Sequence, residues 1–502
     1  MGRPEKPLRA VAVAVGLALA AIGLVAFSAA ARPKLARPGN GLTLSSDGRG
    51  PLIPAGFAGL SMEFRGLAAY AGPDPRAVDP PFLQLIRDIS PAQRPVLRIG
   101  GHSTDWTWWP VPHLARPPGV KYDLTPAFMS VTHSLARTLR ARLILGINLE
   151  ADSRRVARAE AMAMINRIGA GAIDALEVGN EPELYSTFGW YRSARGQPVP
   201  GRPPGWNLAS FIGDFSRVVR GLPRAPLAGP AGGGASWLPF LGTFLGREPA
   251  VRLATLHAYP LKHCVPSQVV TSRQLLADSS SHGLATYLGP YLAMARRRGV
   301  PARVDEINGV SCGGQRGVSD TFGSALWALD ALFELVRAGV GGVNFHTVPG
   351  TINELLGPSF SRGHWRIRVH PEYYGLIMFA QAAPAGARLL PISGTATVGV
   401  KTWATRASDG TLRVTLINKH VRRGETVRLR LPAGYASASL EQLRAPSVGA
   451  RERITLGGQS FGPETTTGRL AGPSHAGTLR PTGGTYVIRL PAASATLLVA
   501  SR

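Results

Sequence analysis

Eight short apolar runs, separated by stretches of helical periodicity over about 330 residues, constrain the fold of this chain more than any other feature. The strand-like runs lie at 57–64, 96–100, 143–149, 175–178, 226–228, 253–258, 302–306 and 342–346. Helical patterns occupy 126–142, 153–168, 208–220, 272–298 and 319–338. In the last of these, Phe322, Ala325, Leu326, Leu329, Leu332 and Phe333 share one face, with Asp320 or Ser319 placed to cap its start. Eight strands alternating with helices fit a (β/α)8 barrel, with an open doubly wound sheet as the other solution.

The rhythm changes near Arg388. Runs at 395–405, 412–418, 426–431, 438–443, 453–456, 485–490 and 495–500 are β-branched or alternating, and Gly, Pro and Ser separate them. They predict a small antiparallel sandwich, to which residues 41–53 can donate a strand or two. Residues 457–484 read as a long surface loop. The expected organisation is an N-terminal segment over 1–31, a linker and first β-domain strand over 32–50, the barrel over 51–385 and the sandwich over 386–502.

Arg3, Lys6 and Arg9 precede an uncharged run from Ala10 to Ala31, followed by Arg32 and Lys34. This is the pattern of a signal peptide, although the run also approaches the ~20 residues needed to span a bilayer. Both versions imply export, to the exterior or the cell surface. Cys264 and Cys312 are the chain's two cysteines, too few for a Cys-based metal site, and in an oxidising compartment they can form one bridge.

In a barrel, catalytic groups belong at the C-terminal ends of the strands. Glu181 follows the fourth strand in Asn180-Glu181-Pro182, and Glu306 ends the seventh. Strands 4 and 7 face each other across the barrel mouth. Two carboxylates so placed suit glycosidic bond cleavage, one protonating the leaving oxygen while the other attacks or guides water.

These motifs resemble the retaining (β/α)8 glycosidases. More narrowly, Arg98-Ile99-Gly100-Gly101-His102-Ser103-Thr104-Asp105 is similar to a stretch of glycoside hydrolase family 79, which holds β-glucuronidases and heparanase-like enzymes. The stretch from Gly317 to Phe322, Trp327 to Asp330, and Gly342 to His346 agree with the same family. Position 102 carries His where the family usually has Asn. The resemblance implies Glu181 as acid/base and Glu306 as nucleophile. Glu181 then needs a raised pKa and Glu306 must stay ionised, with Arg98 a candidate supporting donor.

The resemblance also implies that Asn180 bonds the sugar 2-hydroxyl, that Glu63 and Asp105 contact other hydroxyls, and that His257 and Tyr259 line the pocket rim, Tyr259 bonding the nucleophile. Gly313 and Gly314, in a loop of small residues, form an anion-binding nest where the family reads the uronic carboxylate. One at most of Trp106, Trp108 and Trp109 is expected to touch substrate. Cys264 and Cys312, following strands 6 and 7, would tie neighbouring loops together.

The function expected is that of an exported retaining β-glycosidase for β-linked glucuronides, acting on a glycoside or polysaccharide. Two other readings stay open: another sugar specificity, or a catalytically silent polysaccharide-binding protein. After strand 8, residues 349–356 lack tyrosines expected near a glucuronate carboxylate. The mechanism needs no metal or other cofactor, and no metal-ligand spacing occurs. The net charge of +26 suggests polyanionic surroundings, but no nucleic-acid motif accompanies it. Residues 386–502 hold 16 basic and five acidic residues, a net +11 in 117 residues, whereas 41–385 hold 34 and 24, a net +10 in 345. The basic β-domain is therefore expected to hold the chain near an anionic surface.

Overall fold

A computed structural model of the chain describes residues 41–45, 50–394 and 396–502. The apolar N-terminal run lies outside these residues. Among them, no helix is long and apolar enough to cross a membrane.

Eight parallel strands close into a barrel: β1 (Ala58–Glu63), β2 (Val96–Gly100), β3 (Arg142–Ile147), β4 (Ile173–Val178), β5 (Leu227–Gly232), β6 (Val251–Ala258), β7 (Ala302–Ile307) and β8 (Val343–Thr347). The closed barrel excludes the open sheet. All eight were legible because strands packed on both faces read as continuous apolar runs.

Each strand is followed by a principal helix: α1 (Pro80–Ile89), α2 (Pro126–Leu139), α3 (Arg154–Met164), α4 (Leu208–Val219), α5 (Leu241–Arg247), α6 (His282–Arg297), α7 (Phe322–Ala338) and α8 (Pro371–Ala382). Local chemistry starts several of them. Asp79 accepts from Phe82 N before α1, and Thr125 from Phe128 N before α2, each with proline at the first helical position. The cap expected for α7 is different. Its N-cap is Thr321, and Asp320 instead accepts from Gly317 N at 2.6 Å, closing the turn before the helix.

Phe322 to Val336 of α7 are buried on every side, because α8 covers one flank and the β-domain another. Gly375 of α8 lies so close to the Ala325 carbonyl that a Cβ would overlap it. Trp403 of the β-domain stacks on Phe333 at 5.3 Å and donates to Asp330 at 2.9 Å. Lys419 and Ser281 each reach the other Asp330 oxygen at 2.6 Å.

The β-domain is two sheets around a core that includes Leu42, Val414, Leu416, Val427, Leu429, Ile488 and Leu498. In the smaller sheet, Gly41–Leu44 lies between Ile392–Gly394, antiparallel to it, and Glu425–Arg430, parallel to it. Residues 457–484 are not a free surface loop. Phe461 is buried against the rings of Tyr373 and Tyr374 of α8, Thr465 pairs with Ile367, and Gly477–Leu479 adds a short strand to Ala438–Arg444. A stretch without hydrophobic period docks here through one aromatic anchor and backbone pairing.

Candidate active site

Arg98, in the middle of β2, is completely buried and organises the barrel mouth. Its Nε donates to Glu177 at 2.6 Å and lies 3.1 Å from Asp305. Nη1 donates to Glu306 Oε2 at 2.6 Å and to Ser61 at 3.1 Å, and Nη2 donates to Asn180 Oδ1 at 2.8 Å. A guanidinium never loses its charge in a protein and presents donors in a rigid fork. Arg98 is therefore a fixed positive centre beneath Glu306. Burial raises the Asp305 pKa, and the Glu177 charge adds to it, so Asp305 is held well above the usual carboxylate range while Glu177 beside Arg98 is ionised.

Glu306 itself is 6% exposed. Burial would favour its protonated form, but the charges of His346, His257 and Arg98 outweigh this, and Tyr259 donates to Oε1 at 2.8 Å. Its pKa is held well below the ordinary value, so the group is a carboxylate at any physiological pH. A register shift between Leu256 and His257 aligns His257 of β6 with Glu306 of β7.

Glu181 sits in the left-handed region at φ +47°, just beyond β4, with its N–H bonded to Ala231 O at 2.8 Å. A non-glycine residue there carries about 1–3 kcal/mol of strain, a cost met at sites that must aim a side chain. Its Oε1 lies 3.1 Å from His257 Nδ1. Arg98 Nη2, which can only donate, lies 3.2 Å from the other ring nitrogen, so Nδ1 carries hydrogen in both protonation states of the ring. Burial and Arg98 oppose a charged ring, yet the Glu306 charge and the Glu181 hydrogen bond push the His257 pKa up to about 9.

Glu181 departs from expectation in consequence. Burial raises its pKa, but the hydrogen bond and charge of His257 outweigh it and leave Glu181 below the ordinary value. The proton expected on the acid/base resides one hydrogen bond away.

Glu181, His257 and Glu306 offer ligand atoms within 4.8 Å of one another, the one such cluster among the described residues. Glu181 Oε1 already faces the His257 N–H, and Glu306 Oε1 the Tyr259 hydroxyl. His257 and Tyr259 thus engage one oxygen of each glutamate.

The remaining expected residues divide. Asn180 keeps its amide N–H groups while Arg98 takes its oxygen. Glu63 accepts from both Ser103 N at 2.7 Å and the Ser103 hydroxyl, and lies 3.6 Å from His346 Nε2. It is anchored at the edge of the cluster.

Asp105 is committed to the protein's own loops. It is 3% exposed and accepts from Leu149 N, Glu150 N, Asn180 N and the Tyr185 hydroxyl, pinning the loops after β3 and β4 together. A carboxylate with four internal donors has no lone pair left for substrate. Nor do Gly313 and Gly314 form an open nest. Both have positive φ, but Gly314 N donates to Ser311 O, Gln315 N to Ser319 Oγ, and Gly314 packs against Asn353. The N–H groups of Gly314 and Gln315 are thus spent within the loop's own turns.

Cys264 and Cys312 are bridged and join the loops after β6 and β7. Of the three tryptophans, Trp108 is buried and Trp109 meets Arg167, whereas Trp106 stacks on His102 and borders a small cavity with Glu181, Leu184 and Phe188. His102 Nε2 is 4.0 Å from Glu181 Oε2.

His346 is the site residue that sequence reasoning passed over. It ends β8, bonds Ser61 at 3.0 Å and lies 3.8 Å from Glu306. The strand-end rule that singled out Glu181 and Glu306 would have found it.

A (β/α)8 barrel with facing glutamates after strands 4 and 7, joined to a β-sandwich, is the architecture of the glycosidase clan. The comparisons with known proteins show what the chain is similar to. The family model for the glycosyl hydrolase family 79 C-terminal beta domain matches residues 402–497. A curated β-glucuronidase of Neurospora crassa is 23% identical over 352 residues, 62% of this chain, and the match spans 60% of that relative's length. Among solved structures, a 4-O-α-L-rhamnosyl-β-D-glucuronidase from Fusarium oxysporum shares the fold with a TM-score of 0.71 and 23% identity, over 91% of this chain and 99% of that one. A family 51 arabinofuranosidase from Xanthomonas axonopodis pv. citri does so at 0.63 and 15% identity, over 92% and 99%.

Proposed function

We propose that the chain is an exported retaining β-glycosidase that hydrolyses β-linked glucuronides. The observation that carries this reading is the proximity of Glu181 and Glu306, each of which brings one carboxylate oxygen within 4.8 Å of the other. Retaining enzymes hold the pair at about 5–5.5 Å, whereas inverting enzymes leave about 6.5–9.5 Å for a water between them.

In the first step Glu306 attacks the anomeric carbon. His257 hands its proton to Glu181, which delivers it to the departing glycosidic oxygen, so that Glu181 ends the step as a carboxylate and His257 as a neutral ring. As the Glu306–sugar bond forms, the nucleophile loses its charge and with it much of the pull that kept the proton on His257. In the second step Glu181 accepts a proton from water as water displaces Glu306. Asn180 presents its N–H groups to the sugar hydroxyl next to the reacting carbon, where the bond strengthens in the oxocarbenium-like transition state.

The activities named for the Neurospora and Fusarium proteins support a glucuronide as substrate. A second reading, a different glycone, is favoured by the fold shared with arabinofuranosidases and by the loop after β8. There Glu354 pairs with His370 at 3.5 Å, and no tyrosine occurs between residues 349 and 356.

Purified protein lacking residues 1–34, assayed on p-nitrophenyl β-glucuronide, β-glucoside and α-L-arabinofuranoside, tests both. Glucuronide turnover is expected; hydrolysis of another glycoside without it would overturn the substrate. Export rests on the N-terminal apolar run, and detection of the protein only inside cells would count against it.

A further inference from the structure

A second cleft, of about 420 Å³, lies between the barrel and the β-domain, away from the paired glutamates. Its walls come from the loop after β7, the strand leading into α8, and residues 451–463. Arg316, Arg368, Arg451 and Arg453 all line it. Only Arg451 is neutralised, by Asp320 at 3.1 Å. Among the described residues, the guanidinium groups of Arg316, Arg368 and Arg453 make no ion pair or hydrogen bond, and Glu452 is the one other acid on the wall. Arg453 holds a left-handed backbone at φ +58°.

The floor is different in kind. Val369 and Ile454 are buried apolar residues, and Tyr374 presents a ring whose hydroxyl accepts from Phe461 N at 3.0 Å. Guanidinium groups without a protein partner around one cleft are available to pair an anion. Guanidinium forks match carboxylates and sulfates two-pronged, an apolar floor suits the C–H face of a sugar ring, and the volume falls in the ordinary range for a small-ligand site.

We infer that this cleft binds an acidic saccharide, carboxylated or sulfated, as a site separate from the catalytic pocket. The choice of a saccharide among anions rests on the glycosidase reading. The loop bearing Arg316 runs on from Glu306 through Cys312, so a polymer held in the cleft is tethered close to the catalytic face.

The test uses the full chain carrying Glu306→Gln, so that no probe is consumed, with and without Arg368→Ala and Arg453→Ala together. Both positions are exposed, and an unchanged melting temperature verifies the fold. Calorimetric titration with a hyaluronan hexasaccharide and a heparin hexasaccharide is expected to show binding of at least one probe that weakens fivefold or more in the double variant. Cellohexaose should not bind. No acidic binding, a loss below fivefold, or equal binding of cellohexaose overturns the inference. Turnover of p-nitrophenyl glycosides by the unsubstituted protein is scored separately. Arginine-dependent binding without turnover would leave the cleft standing and remove the glycosidase reading, and turnover without such binding would do the reverse.

Discussion

His257 Nδ1 faces Glu181 Oε1 at 3.1 Å, so one proton is held by this pair of residues and not by the carboxyl alone. The pair keeps that proton until pH rises through about 9, where His257 gives it up. Replacing His257 with Asn removes the group that lowers Glu181 and leaves burial, which raises it. The proton then resides on Glu181 only. The alkaline limb of kcat/KM is expected to move to lower pH in the variant, while the acidic limb, governed by Glu306, stays below the usual carboxylate range. A pH profile with an unmoved alkaline limb would sink the shared-proton account.

Glu181→Gln keeps the shape of the residue but cannot supply a proton. General acid catalysis is worth about 10²–10⁴-fold, and kcat on an alkyl glycoside should fall by that amount. A dinitrophenyl leaving group departs without help, so its first step should be nearly unaffected. Comparing the two substrates on one variant separates loss of the acid from loss of the fold.

The Cys264–Cys312 bridge closes a loop with a sequence separation of 48. Chain-entropy reasoning gives it a stabilisation of about 4 kcal/mol. The double Ser variant should therefore unfold at lower temperature. Because the bridge joins the two loops that follow His257 and Glu306, its removal should also raise KM more than it lowers kcat. Equal melting temperatures for the two proteins would show that the loops are ordered without it.

Lys419 neutralises Asp330, which is fully buried in α7 at the boundary between barrel and β-domain. Removing one partner of a buried pair costs about 3–5 kcal/mol. Trp403 and Ser281 still donate to Asp330, which places Lys419→Ala toward the low end. Urea titration should show the loss, and replacing Lys419 and Asp330 together by Met and Leu should recover part of it.

The elements that the sequence revealed are those with a one-dimensional signature. The barrel strands are apolar runs of fixed length, and α2 and α4 carry an amphipathic period. The helix α8 is buried all round, so it has no period to detect. The short α5 has too few turns to show one. The placement of Glu181 and Glu306 together at the barrel mouth was legible because both stand at strand ends. The anchoring of Asp105 was not legible, because its four donors come from residues 149, 150, 180 and 185, a convergence that only the folded loops create. The Arg98 cluster is half legible: a buried Arg in β2 suggests an ion pair, but nothing in spacing tells that Glu177, Asp305 and Glu306 share it.

The strand Gly41–Leu44 has Leu44 in register with Ile392, while Leu42 faces Leu429 on its other side. The barrel is therefore an insertion between the first strand of the β-domain and all the others. Its sheet cannot be completed during synthesis until the barrel has emerged, and a folded barrel, by bringing residues 50 and 388 together, shortens the gap that the sheet must bridge. A fragment starting at residue 386 would lack an interior strand and leave the facing edges of Ile392–Gly394 and Glu425–Arg430 unpaired, a template for self-association. The C-terminal region is thus not a portable module. To be transplanted or expressed alone, it must carry residues 41–44 with it.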